Sequence, residues 1–262
     1  MVGLADRVRT FRSKALRVTE KTLSIPTAKA PQVVREDWYR AYYAAKGVER
    51  NSLLHNPEVL YQSLAQEAAL VRALQCIRPN HEAARVLDVG CGDGTTLLAF
   101  LRLGFAAGNL HGVDFQEERI AKAKEKCPSI HFAHGDATKL EFASESFDVV
   151  NEATMFIHSV DEELSRKIAG EMVRVTKPGG HILLCDWRYS KPGSAAHCAM
   201  TQKRIARLFG VGRGTSRCGV FAGPLLPPIG RFLSRRLPSA YFLVSAALPF
   251  LVGQMTTVLR KS

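Results

Sequence analysis

The 262-residue chain lacks an apolar run of the ~20 residues that a helix needs to span a bilayer. Its best candidate, A-Y-F-L-V-S-A-A-L-P-F-L-V over residues 240–252, stops at thirteen. Its six cysteines, at 76, 91, 127, 185, 198 and 218, form no C-x-x-C pair and no spacing suited to a metal ion, so they read as small apolar residues of a reducing compartment. No apolar segment near the N-terminus leads into a small-residue cleavage site, so a secretory leader is not expected and the expected location is cytoplasmic. Carboxylates are missing from the last 76 residues, where residues 187–262 carry twelve Lys and Arg and no Asp or Glu. Residues 1–50 carry eleven basic and five acidic side chains, and residues 51–186 carry thirteen and nineteen. An acidic middle is therefore flanked by two basic ends, whereas a merely soluble surface mixes its signs throughout.

What the chain does possess is concentrated in residues 85–98, R-V-L-D-V-G-C-G-D-G-T-T-L-L. Apolar, β-favouring residues run into Asp88, and Gly90, Gly92 and Gly94 follow at alternate positions, the pattern of a buried strand ending in a tight turn that opens a helix. Without Cβ atoms the backbone there can take positive φ and touch a ligand. The order D-x-G-x-G-x-G is not the G-x-G-x-x-G of dinucleotide sites, and a carboxylate ahead of the glycines repels a pyrophosphate while suiting a cationic ligand. Further polar groups close β-like stretches: Asp114 after L-H-G-V, Asp136 after F-A-H-G, Asn151 and Glu152 after F-D-V-V, and Asp186 after H-I-L-L-C. Taken singly, Asp136 also reads as a turn or helix cap, and the glycines as aids to helix–sheet packing.

Residues 88–94, D-V-G-C-G-D-G, resemble the first motif of class I S-adenosylmethionine-dependent methyltransferases, and the later strand ends resemble the family's other motifs in order over residues 80–190. The resemblance implies S-adenosylmethionine as cofactor. It places Asp88, Gly90, Cys91 and Gly92 against that ligand, and it gives Asp114, with Phe115 beside it, the ribose hydroxyls. Asp136 and the Ala137 N–H would read the adenine, and Asn151 would lie near the methionine part and the reacting methyl. Tyr43, in W-Y-R-A-Y-Y over residues 38–43, falls where related enzymes carry a helix over the cofactor. It would cover the sulfonium by cation–π contact or serve as ordinary core.

Strand-like and helix-like stretches alternate through the middle of the chain. Residues 116–126 and 161–175 are the clearest helix candidates, the second with Leu164, Ile168, Met172 and Val175 on one face. The expected fold class is α/β, a single Rossmann-like domain with a mostly parallel seven-stranded sheet and an antiparallel C-terminal strand. Residues 1–79 are expected as a basic amphipathic helix and lid, 80–190 as the core, and 191–262 as a region that completes the sheet.

The basic flanks are patterned. Leu4, Val8, Phe11, Ala15 and Val18 recur at helical spacing among Arg7, Arg9, Arg12, Lys14, Arg17 and Lys21, while Arg231, Arg235 and Arg236 precede the apolar run at 240–252. Two arrangements are open: an interfacial platform on an anionic membrane surface, or a lid together with a core helix that leads into a last strand at 254–259. Nucleic acid is not expected as a partner. Methyltransferases that act on the exocyclic amines of bases carry N-P-P-[YFW] at the end of the fourth strand, where this chain has Asn151-Glu-Ala-Thr154, and no aromatic side chains interleave with basic ones as in a single-strand platform.

Methyl transfer to a hydroxyl is an in-line displacement that requires alignment, exclusion of water and removal of a proton. His158 is the candidate catalytic base, because the segment from Asn151 to Asp161 is similar to the E-x-x-x-H-x-x-D stretch of small-molecule and sugar O-methyltransferases, from which its spacing departs slightly. A structural role beneath the loop is the alternative. Asp161 should cap the next helix, and Ser159 with Glu162 offers a capping box. The expected function is O-methylation of a small-molecule, glycan or lipid-linked substrate near the membrane face. C-methylation of an isoprenoid quinone-like lipid, an inactive cofactor-binding recruiter and an NAD-linked oxidoreductase are the alternatives. The acceptor and the oligomeric state stay open at this level.

Overall fold

A computed structural model describes residues 52–262 together with Ala41. Tyr43 and the patterned basic segment at residues 4–21 lie outside the described residues. After α1 (Leu60–Ile77) the chain runs β1 (Val86–Val89), α2 (Thr95–Arg102), β2 (Leu110–Asp114), α3 (Glu117–Lys126), β3 (His131–His134) and β4 (Phe147–Ala153). It continues through α4 (Glu162–Val175), β5 (Thr176–Trp187), α5 (Gln202–Phe209), β6 (Thr215–Ala222), α6 (Pro227–Arg236) and α7 (Tyr241–Ala247) to β7 (Gln254–Lys261).

The seven strands form one sheet in the order β3-β2-β1-β4-β5-β7-β6. Strands β1 to β5 are parallel, and β7 runs antiparallel to both β5 and β6. This is the mostly parallel, seven-stranded α/β architecture expected from the sequence, with the last strand reversed. Strand order departs from β1 in one direction through β2 and β3 and in the other through β4 and β5. Such a reversal opens a crevice at the carboxyl ends of the two central strands.

Each face of the sheet supplies its own core. Leu87, Val89, Val150, Ile182 and Leu184 pack beneath α4 and α5, whereas Val86, Leu110, Val149, Leu183 and Val258 pack beneath α1, α2 and α3. A strand covered on both faces has no polar side, and β1 is buried at all four positions. Asp161 caps α4 by accepting the Glu163 and Leu164 N–H groups. The capping box expected of Ser159 and Glu162 does not form: the Ser159 hydroxyl lies 2.8 Å from that of Ser165, and Glu162 turns to Arg204 and Arg207. Two guanidinium partners outcompete a single backbone N–H for that carboxylate.

The apolar run at 240–252 is no single core helix. Pro249, which cannot donate a backbone hydrogen bond, opens a short turn after α7, and only part of the run is buried: Tyr241 and Val252 are covered while Leu243 is 72% exposed. No described helix is long and apolar enough to cross a membrane.

Gly112 in β2 has no room for a side chain. A Cβ there would meet Cys91 Sγ and Phe132 Cδ1 at 2.8 Å and Leu97 Cδ1 at 2.9 Å. Because all three neighbours are buried, Gly112→Ala should lower stability by about 1–3 kcal/mol in denaturant unfolding. An unchanged midpoint would show that this side of the core can yield.

Candidate active site

The crevice at the tips of β1, β2 and β4 holds a cavity of about 310 Å³, within the range of small-ligand sites. Gly90, Gly92 and Gly94 take φ of +73°, +56° and +80°, a left-handed path that side chains resist. The Gly90 and Cys91 N–H groups donate to the Val113 carbonyl at 2.8 and 3.0 Å, which ties the turn to the end of β2. A Cβ on Gly90 would approach Met155 Sδ at 3.0 Å, and one on Gly92 would overlap the Arg119 guanidinium. The turn is thus threaded between Met155 of the turn after β4 and Arg119 of α3.

Of the residues picked from the sequence, Gly90, Cys91, Asp114, Phe115, Asp136, Ala137 and His158 line the cavity. Asp88, Gly92 and Asn151 stand behind that wall. Asp114 accepts the Gly92 N–H on Oδ2 at 2.8 Å and the Gln116 N–H on Oδ1 at 2.9 Å, so it fixes both the glycine turn and the start of α3. A carboxylate oxygen has two acceptor positions, which leaves capacity on both for a ligand's hydroxyls. Asp136 accepts the Thr138 N–H at 2.8 Å. Its carboxylate therefore supports its own turn while facing the cavity.

Asp88 is 1% exposed and sits opposite Asn151 in the β1–β4 register, where the Asn151 amide donates to Oδ1 at 2.7 Å. Burial pushes its carboxyl up to about 7, and the nearby Asp114 charge pushes the same way against the Asn151 hydrogen bond. A cationic ligand above this carboxyl would favour its charged form.

The far wall is the turn after β4. Thr154 takes φ +62°, uncommon for a β-branched residue. Glu152 accepts the Met155 N–H at 3.1 Å, and Asp186 accepts the Ile157 N–H at 2.8 Å. Both carboxyls are held above their ordinary range, by burial first and, for Glu152, by the neighbouring Asp186 charge; Asp186 rises to about 7. Arg204, 4% exposed, donates to the Phe156 and Ser159 carbonyls at 3.3 and 2.7 Å and clamps the turn from outside. His158 sits in that turn, 9% exposed, with its ring 5.0 Å from that of His197.

Sequence reasoning missed Arg119, Thr154, Met155 and Arg204. Arg119 could have been found by placing the first turn of α3 at the crevice. Arg204 reaches the site from more than forty residues away, and nothing local marks it.

Fold and crevice together define a class I S-adenosylmethionine-dependent methyltransferase domain. A family described as "Methyltransferase domain" matches residues 86–180, about a third of the chain, and domains of this class take S-adenosylmethionine as cofactor. The chain is 36% identical over 105 residues to a demethylmenaquinone methyltransferase of Renibacterium salmoninarum, covering 40% of this chain and 42% of that protein. It is 30% identical over 146 residues to another from Streptomyces griseus, covering 56% and 59%. The chain thus spans about half the length of these relatives. Among solved structures, the PH0226 protein of Pyrococcus horikoshii OT3 superposes with a TM-score of 0.56 at 18% identity over 82% of this chain and 98% of that one. A SAM-dependent methyltransferase of Methanosarcina mazei superposes with a TM-score of 0.52 at 17% identity over 70% and 94%. The residues present fit the cofactor: a glycine turn in left-handed backbone, three carboxylates lining the cavity (Asp93, Asp114 and Asp136) and a fourth, Asp88, buried behind it.

A carboxyl raised on folding binds its proton more tightly in the folded state. Its contribution to stability is complete below the ordinary value of 3.8 and is lost as pH rises towards about 7. Asp88→Asn removes that loss while Asn151 keeps an acceptor. The melting temperature of the ligand-free variant should therefore exceed that of wild type by a margin that grows from about pH 4 to about pH 7 and then levels. A constant difference across that range would show that Asp88 stays ionised when folded.

Proposed function

We propose that the protein transfers the methyl group of S-adenosylmethionine to a hydroxyl of an apolar acceptor and works at an anionic membrane face. The observation that carries this reading is one cavity with Asp114 and Asp136 on one side and His158 on the opposite turn. When bound, the cofactor supplies an electrophilic methyl on a positively charged sulfur. Asp114 would accept the ribose hydroxyls with the acceptor positions its two backbone hydrogen bonds leave over. Asp136 and the Ala137 N–H would take the adenine edge. Asp88, held by Asn151, would set negative charge behind the glycine turn, opposite the ligand's cationic part. Leu164 and Ile168 offer the acceptor an apolar wall beside the His158 turn, which excludes water from the line of attack.

His158 would take the acceptor's hydroxyl proton on an imidazole nitrogen as the oxygen's lone pair forms its bond to carbon. Imidazole suits this task because it exchanges protons near neutral pH. Under this reading His158→Ala lowers methyl transfer by about 10²- to 10⁴-fold and leaves cofactor affinity unchanged. Asp114→Asn weakens cofactor binding in isothermal titration by about tenfold or more, the loss of charge-assisted hydrogen bonds. Wild-type protein with no affinity for S-adenosylmethionine would end the reading.

A second reading, C-methylation of a quinone-type ring, is favoured by the relatives named demethylmenaquinone methyltransferase. It does not require His158 as the base. Radiolabelled methyl transfer into separated lipid, glycan, protein and RNA fractions of a lysate identifies the acceptor class. Label in a quinone-bearing lipid at an undiminished rate in His158→Ala would select the second reading, and label in no fraction would leave a cofactor-binding protein without transfer.

A further inference from the structure

The connection between β6 and β7 stands apart from the rest of the described surface. Strand β6 runs parallel to β5, since both are antiparallel to β7. It therefore ends at the sheet edge where the tips of β1, β2 and β4 form the cavity, and residues 223–253 hang from that edge.

One side of this excursion is firmly built. Leu225, Leu233, Tyr241 and Val252 form a small core with Ala65 of α1, the Tyr61 ring packs at a tilt against that of Tyr241 with centroids 5.7 Å apart, and the Leu225 N–H donates to the Tyr241 hydroxyl at 3.1 Å. Other side chains of the same segment remain open to solvent: Phe232, Leu237, Leu243, Leu248 and Phe250 are exposed, Leu243 at 72% and Phe250 at 62%, and Phe242 is exposed although its ring also meets Tyr61 and Tyr241. Six exposed large apolar side chains within thirty-one residues are more than a soluble surface needs, and such groups mark interaction surfaces. The adjoining turn after β5 is tied to the same place, because the Tyr189 hydroxyl donates to the Phe250 carbonyl at 3.1 Å and the Arg188 guanidinium to that of Pro249 at 2.6 Å.

Charge narrows the choice of occupant. The only charged side chains in residues 223–253 are Arg231, Arg235 and Arg236. Arg231 and Arg235 face Glu58 at 3.8 and 3.2 Å, and Arg236 is exposed at the end of α6. Across the whole of residues 187–262 there is no carboxylate to offset twelve cations. A second copy docked on this face by two-fold symmetry would set arginine against arginine. The chain's own residues 1–50 carry eleven basic and five acidic groups, the same sign again. A surface of anionic headgroups over hydrocarbon satisfies both halves of the pattern, because aromatic and leucine side chains enter the headgroup boundary while the arginines meet phosphate.

We infer that the outer side of the 223–253 excursion, with Leu243 and Phe250 at its most exposed points, docks the protein on an anionic phospholipid bilayer. Docking there brings the cavity edge of the sheet to the lipid, so an acceptor dissolved in the membrane would reach the methyl site from the side the protein already faces. The inference specifies the membrane part of the proposed function and does not depend on methyl transfer.

The test is flotation of the full chain with vesicles of phosphatidylcholine alone or mixed with phosphatidylglycerol, at low and high salt. Wild type should float with the anionic vesicles, less so at high salt and little on phosphatidylcholine alone. The double variant Leu243→Glu/Phe250→Glu should lose binding by about tenfold or more with an unchanged melting temperature, since both positions are exposed. Its affinity for S-adenosylmethionine, measured separately, should match wild type, which separates failure of docking from failure of the methyltransferase reading. Arg236→Glu is the second variant and should weaken anionic binding without touching the apolar contacts. The inference falls if wild type ignores anionic vesicles, if the double variant floats like wild type, or if light scattering shows a wild-type dimer that the double variant dissolves while neither floats.

Discussion

Carboxyl groups buried where a parallel sheet ends are the constraint on which this structure turns. Asp114 holds the glycine turn and the start of α3 through two backbone N–H groups, and Glu152 and Asp186 hold the opposite turn through the N–H groups of Met155 and Ile157. The two walls of the cavity are thus both pinned by side-chain carboxyls accepting from backbone. An N–H at a strand end has no ladder partner, and an unpaired one in a buried crevice would be costly. Carboxyls in the strand tips solve that locally, and one of them, Asp114, also faces the cavity. The arrangement is unfavourable for the empty fold, as the raised carboxyls of Asp88 and Asp186 show, and becomes favourable when a cation enters. Stability is here exchanged for complementarity to one kind of ligand.

The periodic signals in the sequence were sufficient for the frame. The β-rich stretches ending in Asp88, Asp114 and Asp186 are strands β1, β2 and β5, and the helix bounded by Asp161 is α4, because strand alternation, glycine punctuation and helix capping are all local effects. The glycine turn was legible for the same reason. What escaped was set by distant partners. Arg204 clamps the His158 turn from α5, Thr154 is forced into positive φ at the foot of that turn, and Ser159 abandons the expected capping box because Ser165 stands within hydrogen-bond reach. No window of a dozen residues contains those causes. Asp88 is instructive in another way: the motif marks it correctly as a buried acid at the strand end, but motif spacing does not say that Asn151 covers one of its oxygens and that it stands behind the cavity wall.

The apolar run at 240–252 illustrates how composition can pose a question that only packing resolves. As sequence it fits a core helix or an interfacial segment equally well, since both are apolar and uncharged. Folded, it is divided between the two environments, with Tyr241 and Val252 turned into a core shared with α1 and Phe242, Leu243, Leu248 and Phe250 exposed. Pro249 enforces the division by ending the α-helical geometry, so residues on either side of it do not share one helical stripe.

Topology accounts for why this segment and the methyl site share an edge. In an all-parallel sheet each connection must return across the sheet to the opposite end, and a helix is the usual carrier. The reversed direction of β7 removes that requirement: its first residue, Gln254, starts where β6 finishes, at the carboxyl edge of the sheet. Any chain inserted between β6 and β7 must therefore emerge at the same end of the sheet as the cavity, whatever its sequence. The thirty-one residues inserted here carry three arginines, no carboxylate and half a dozen exposed large apolar side chains. A single antiparallel strand at the end of the sheet thus fixes the position of that surface relative to the glycine turn, and the sequence of the insertion decides what it meets.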